Sequence, residues 1–293
     1  MAIRTDIVKS WPFDIQRQIY TEKDTILYAL SLGYGSQPED AHQLEYVYEK
    51  GLRAAPAMVT TLCHPGFWIS DPRTGIDASK AVHAEHQVVF HAPLPPRGCV
   101  RGLTRVLDLI DRGEGKGAML ILGRDIHDDA TGALIASITQ HTLLRADGGF
   151  SGAPTPKASR ATPLAGRAEA DCRIDIASLP QAALIYRLSA DPNPLHVDPE
   201  AARAAGFDRP ILHGLCTYGI VARAIIASIC NHDAGALQRL QMRFLAPIYP
   251  GEVIGIEVYR QGFGILFKCS LPDRKGIVVA SGAAGLRQPH SSA

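Results

Sequence analysis

No apolar run in this sequence is long enough to cross a bilayer. Arg223 interrupts the best candidate, and a span needs ~18 uninterrupted apolar residues. The first residues, MAIRTDIVKS, carry no apolar signal core, and the ending PHSSA is not a peroxisomal SKL-type address. A cytoplasmic location is therefore expected, with no membrane contact. None of the six cysteines (63, 99, 172, 216, 230, 269) forms a CxxC pair or stands at metal-ligating distance from a histidine. They are expected to be reduced, buried small residues, and no metal is expected. Excess charge is also missing. Thirty basic residues face 29 acidic ones, for a net charge of +1. A nucleic-acid or membrane-surface footprint needs clustered Lys and Arg, so neither partner is expected. What remains is 46% hydrophobic and 20% charged over 293 residues, enough for a sizeable core and for two domains.

Two segments recur in the same order. FHAPLPPRG (90–98) matches FLAPIYPG (244–251), and GALIASITQHTLLR (132–145) matches GIVVASGAAGLR (276–287). The offsets are similar, 154 and 144 residues, which points to a duplicated unit. A fainter echo links YTEKD (20–24) to YRLSAD (186–191).

Each half opens with helical material and continues into strands. KDTILYALSLG (23–33) reads as a helix in the first half. DPEAARAAG (198–206) and GLCTYGIVARAIIASIC (214–230) read as helices in the second. EHQVVFHA, VRGLTRVLDLID, GAMLILGRDIHD and ALIASITQHTLLR read as strands. So do LQRLQMRFLA, EVIGIEVYRQG, FGILFKCSL and GIVVASGAAG, with Gly, Pro or Asp turns between them. The pattern is α+β. Leu215, Tyr218, Ala222, Ile225, Ile226 and Ile229 follow helical spacing, and the opposite face is also apolar, so this helix should be buried. DGGFSGAPTPKASRATPLAG (147–166) reads as a linker. The expected units are 1–146, the linker 147–166, and 167–293.

The segment YRLSADPNPLHVD (186–198) concentrates polar groups between prolines. Pro192 and Pro194 fix φ, and Asp191 and Asn193 are pushed toward extended backbone. Asp198 suits a helix N-cap, Pro199 the first helical position and Gly206 the stop. Such a stiff loop could hold Asp191 and His196 for acid–base work on water, since no Ser or Cys nucleophile stands nearby. Equally, Asp191 and Asn193 could simply build Asx turns that His196 completes. A metal is disfavoured because His196 and Asp198 find no third ligand at useful spacing. Downstream, Gly214 opens the buried helix, where free amides favour negative charge. A glycine there admits a ligand close to the backbone, as in an oxyanion hole.

The stretch YRLSADPNPLHVDPEAARAAGFDRPILHGLCTYG (186–219) resembles the (R)-specific enoyl-CoA hydratases of the MaoC-like dehydratase family. It is most similar to the hydratase portion of peroxisomal multifunctional enzyme type 2. The resemblance continues through MRFLAPIYPGE (242–252). More loosely it covers YTEKDTILYALSLGYG, VHAEHQVVFHAPLP and DGGFSG in the first half. It implies a double hot-dog fold, two antiparallel sheets each wrapped around a helix. It implies reversible hydration of a trans-2-enoyl-CoA to a (3R)-3-hydroxyacyl-CoA, without a cofactor beyond the CoA of the substrate. By the same resemblance Asp191 and His196 would activate a water, Asn193 would orient it, and Gly214 would polarise the thioester carbonyl. His83, Ala84, Arg112 and Phe244 would contact substrate, Arg112 through a CoA phosphate; the alternative for Arg112 is a solvated turn residue in DLIDRGEG. The family often has glycine where Ala84 and Ala190 stand here.

The first half has no NPLH segment. Asp24 echoes Asp191, but Thr25, Ile26 and Leu27 follow it, so one active site per chain is expected. The degenerate half would then widen the acyl tunnel. The histidines at 64, 86, 91, 127, 141 and 232 read as ordinary structural residues. A homodimer through sheet edges is expected. The rival readings are a hot-dog thioesterase, because fold does not fix reaction, and a non-catalytic acyl-CoA-binding subunit.

Overall fold

A computed structural model of the chain describes residues 2–152, 169–189 and 191–287. In the first half a short helix, α1 (Thr5–Lys9), precedes β1 (Gln16–Tyr20), α2 (Glu22–Ser31) and α3 (Ala41–Leu44). Four long strands follow: β2 (Ala81–Phe90), β3 (Gly98–Asp111), β4 (Ala118–Asp128) and β5 (Leu134–Leu144). The second half runs β6 (Cys172–Ala177), α4 (Ala182–Tyr186), α5 (Pro199–Ala204) and α6 (Gly214–Ser228). Its four long strands are β7 (Leu237–Phe244), β8 (Val253–Gln261), β9 (Gly264–Leu271) and β10 (Ile277–Leu286). All eight strands expected from alternation are present. The edge strands β1 and β6 were not expected.

The two antiparallel sheets that the resemblance implies are joined edge to edge. The ten strands form a single antiparallel sheet in the order β1-β3-β4-β5-β2-β7-β10-β9-β8-β6. The order reads the same from either end once halves are exchanged, so a pseudo-twofold axis passes between β2 and β7. Those two strands pair directly, with His86 opposite Met242 and Val88 opposite Leu240. The recurring FHAP and FLAP segments therefore end the two strands that meet at the centre.

The halves differ in what the sheet covers. In the second half α6 is buried nearly all round, from Cys216 to Ile226 apart from Arg223, as its apolar faces require. Burying Ile220, Val221, Ile225 and Ile226 contributes ~1.5–3 kcal/mol each. In the first half no long helix occupies the equivalent place before β2. The segment PAMVT forms only a single 3₁₀ turn, Pro56–Thr60. The expected helix there is real but lies elsewhere: α2 packs on α6. Cys216 Sγ donates to the Ser31 carbonyl (3.7 Å) and Arg223 Nη1 to the Leu32 carbonyl (2.9 Å).

The echo between Asp24 and Asp191 is not structural. Asp24 completes a capping box with Thr21 at the start of α2, accepting from the Thr21 amide at 2.8 Å. The beginning of the expected linker is tied down. Asp111 Oδ1 accepts from the Gly149 amide (2.7 Å) and Oδ2 from the Ser151 amide (2.6 Å). Residues 153–166 of that linker lie outside the described residues. All six cysteines are free, but Cys99 and Cys172 are only half-buried. Among the described residues no helix is long and apolar enough to cross a membrane.

Candidate active site

The loop between α4 and α5 is a chain of side-chain-capped turns. Asp191 Oδ1 accepts from the Asn193 amide (3.0 Å). Asn193 Oδ1 accepts from the Leu195 amide (3.0 Å) and so caps a single 3₁₀ turn, Pro194–His196. Asp198 Oδ1 accepts from the Glu200 amide (2.8 Å) and caps α5, with Pro199 first in the helix. Asx side chains and prolines thus fix the backbone at every step. The Asx-turn reading holds for Asp191 and Asn193, and it does not exhaust Asp191, whose second oxygen is turned to His196. Asn193 spends its carboxamide oxygen on the loop itself. Ala190 lies outside the described residues.

His196 is buried, and its Nδ1 lies 2.8 Å from the Ile211 carbonyl. A carbonyl only accepts, so Nδ1 carries the proton and Nε2 presents a lone pair. That Nε2 faces Asp191 Oδ2 at 3.9 Å, a gap too long for a direct hydrogen bond. Burial holds the His196 pKa below its ordinary 6.5, against the Ile211 carbonyl and the Asp191 charge, which both raise it. The ring is neutral at pH 7.

His213, not anticipated as part of the site, links its two sides. It stacks on His196 with centroids 3.7 Å apart and planes 26° from parallel. Its Nε2 reaches the Asp191 carbonyl at 3.1 Å. As the residue before α6 it also sets the position of Gly214, and no side chain caps that helix end. The first amides of α6 therefore lack intrahelical acceptors. Burial, then the neighbouring His196, lowers the His213 pKa to about 4. Its Nδ1 is buried without a hydrogen-bond partner.

Asp191, His196 and His213 bring ligand-type atoms within 4.8 Å of one another. They suit a metal poorly. Imidazole lone pairs lie in the ring plane, and two stacked rings direct them side by side rather than toward one ion.

Phe244, at the end of β7, closes the other side. A Cβ on Gly214 would come within 3.3 Å of its ring. The His83 ring meets Phe244 edge-on at 4.9 Å. Ala84 is the extra residue of a β-bulge, since His83 pairs with Thr142 while Glu85 pairs with the next residue, His141. The bulge turns His83 and His86 to the same face, with His83 Nε2 3.2 Å from His86 Nδ1. Strict alternation would place those residues on opposite faces, so the bulge brings His86 beside His83. His64 was read as structural. It is exposed, and its Nδ1 accepts from the Gly66 amide at 3.1 Å. Asp191, His196, Gly214, Phe244, His83 and Ala84 thus come together. Arg112 does not. It sits in the β3–β4 turn, its amide donating to the Gly117 carbonyl (3.0 Å), beyond the register row Asp111–Ala118–Leu144–Ala81.

Residues 19–146 match the MFE-2 hydratase 2 N-terminal domain, and residues 159–274 match the MaoC like domain. The chain is 37% identical over 269 residues to an enoyl-CoA hydratase of Mycobacterium tuberculosis, covering 90% of this chain and 91% of that protein. It is 31% identical to the peroxisomal enoyl-CoA hydratase 2 of Arabidopsis thaliana, covering 94% and 93% of the two chains. Among solved structures, a MaoC-like dehydratase from Phytophthora capsici superposes with a TM-score of 0.84 at 27% identity, over 99% of this chain and 100% of the other. Full-length peroxisomal multifunctional enzyme type 2 from Drosophila melanogaster superposes with a TM-score of 0.77 at 26% identity, over 93% of this chain and 48% of that one. The chain belongs to the MaoC-like dehydratases, in the two-domain hydratase 2 group with the double hot-dog fold.

Proposed function

We propose that the protein reversibly hydrates a trans-2-enoyl-CoA to a (3R)-3-hydroxyacyl-CoA at one site per chain. The observation that carries this is the 3.9 Å gap between His196 Nε2 and Asp191 Oδ2. Both atoms are acceptors, so one water between them would donate a proton to each and turn an oxygen lone pair outward. Attack at C3 forms the C–O bond while His196 Nε2 takes a proton. Electrons move onto the thioester oxygen, where the Gly214 amide would stabilise the enolate. Return of the proton from Nε2 to C2 restores the carbonyl. Addition is syn because oxygen and proton leave the same side of the pocket.

In this reading His83, Ala84 and Phe244 line the thioester end, and Arg112 meets only distant parts of CoA. The acyl chain would extend toward the first half, where the short 3₁₀ segment Pro56–Thr60 stands in place of a long helix.

Crotonyl-CoA tests the reading. Loss of the enoyl-thioester absorbance without release of free thiol is the expected result. Release of thiol would make the protein a thioesterase, and unchanged absorbance with binding would make it a carrier.

A further inference from the structure

The inner face of the first half carries a cation where a core residue belongs. On β4, Leu120, Leu122, Arg124 and Ile126 alternate inward. Arg124 is 6% exposed. The pseudo-twofold shows what replaces it in the second half. Arg124 pairs with Ile138, which pairs with Val88, two residues before Phe90. Phe267 pairs with Gly282, which pairs with Met242, two residues before Phe244. Arg124 therefore stands where the second half buries Phe267 completely. By the same correspondence His86 stands where the second half buries Leu240.

This guanidinium is poorly compensated. Nη2 donates to the Thr60 carbonyl at 2.7 Å, at the end of the turn that replaces the missing helix. Nε has no partner, and among the described residues no carboxylate lies within ion-pair distance. An unpaired buried charge is costly and is tolerated when a counter-ion arrives. Neighbouring polar atoms are also unsatisfied. Thr104, the register partner of Arg124 on β3, has a buried hydroxyl without a hydrogen bond, and so has His86 at Nε2. The hydroxyls of Tyr28 and Tyr186 face Thr60 without closing a hydrogen bond. Tyr186 in turn touches His213, with ring centroids 4.8 Å apart. A strip of unpaired polar groups thus runs from His213, stacked on His196, to Arg124.

We propose that this strip is the distal acyl subsite and that Arg124 binds a carboxylate there, so that the preferred substrates are enoyl-CoA thioesters whose acyl chain ends in a carboxylate. This rests on the hydratase reading. Burial pulls the Arg124 pKa down only to about 10, so the group stays cationic at neutral pH. A carboxylate would take a bidentate pair from the guanidinium.

The test compares, in the native enzyme, trans-2-enoyl-CoA thioesters ending in a carboxylate with methyl-ended ones over a series of chain lengths. At one length the carboxylate form should win in kcat/KM by about ten- to hundredfold, the worth of a buried charge-assisted hydrogen-bond pair. Arg124→Met should abolish that preference and Arg124→Lys should keep part of it, each read as the ratio of kcat/KM for the two substrate types within the same variant. Methyl-ended chains that match or beat the carboxylates at every length would overturn the proposal, whether or not the variants fold. Failure of the native enzyme on crotonyl-CoA would instead strike the hydratase reading. The subsite is then decided by calorimetric binding of saturated carboxyacyl-CoA against its methyl-ended match, with equal affinities refuting it.

Discussion

Asp191 and His196 face each other at 3.9 Å through Oδ2 and Nε2, and each has its other polar atom already committed. Asp191 Oδ1 is held by the Asn193 amide and His196 Nδ1 by the Ile211 carbonyl. The two free atoms are therefore aimed rather than incidental. Asp191→Asn and His196→Gln should each lower kcat on crotonyl-CoA by about 10²–10⁴, the range for a general acid–base group. Far-ultraviolet circular dichroism should stay unchanged. Near-normal turnover in either variant would end the proposed mechanism.

The pH dependence has a definite sign. His196 must be neutral to accept a proton, and burial already holds its pKa below 6.5. The acid limb of kcat/KM should accordingly fall below pH 6.5. Asp191 raises the His196 pKa through its charge, so Asp191→Asn should move the His196 titration to still lower pH. Titration of the labelled imidazole by NMR reads this directly. An upward movement would show that the carboxylate is not the electrostatic partner.

Much of this was legible in the sequence, and the exceptions have local causes. Several of the eight long strands alternate or are β-branched between Gly, Pro or Asp turns, and α6 is apolar nearly all round, so pattern and punctuation expose them. β1 and β6 are short edge strands of five and six residues; β1 has only Ile19 and Tyr20 to betray it, and β6 alternates over too few residues to stand out beside the linker. The site loop was legible because prolines and Asx residues dictate its turns. His86 was not, because the bulge at Ala84 breaks the two-residue period that assigns faces. His213 contributes through a stacking contact made only when the α6 start meets the loop. Arg124 was not singled out in the sequence, because its place becomes evident only when the pseudo-twofold sets it against Phe267.

Gly214 tests the carbonyl-binding end. Its helical position would accept a side chain, but a Cβ would stand 3.3 Å from Phe244 Cε1. Gly214→Ala should push that ring into the cleft and lower kcat/KM by about tenfold or more, as small misplacements do. Stability should change little, because alanine favours the helix. Replacing Phe244 by leucine in the same chain should recover part of the loss. No recovery would place the damage in the amide rather than the ring.

Gly219 tests how the halves are joined. A Cβ there would meet Leu32 Cδ2 at 2.6 Å and the Tyr28 hydroxyl at 2.9 Å, where α2 crosses α6. Both neighbours are fully buried and have nowhere to move. Alanine gains about 1 kcal/mol of helix propensity over glycine but must overpack this crossing, which costs about 1–3 kcal/mol. Because the obstacle is a buried leucine pressed from behind, the clash should win. Gly219→Ala should lower the urea midpoint at unchanged m-value. A raised midpoint would mean that α2 can slide away from α6, and that the first half is held to the catalytic helix less tightly than the Ser31 and Leu32 hydrogen bonds indicate.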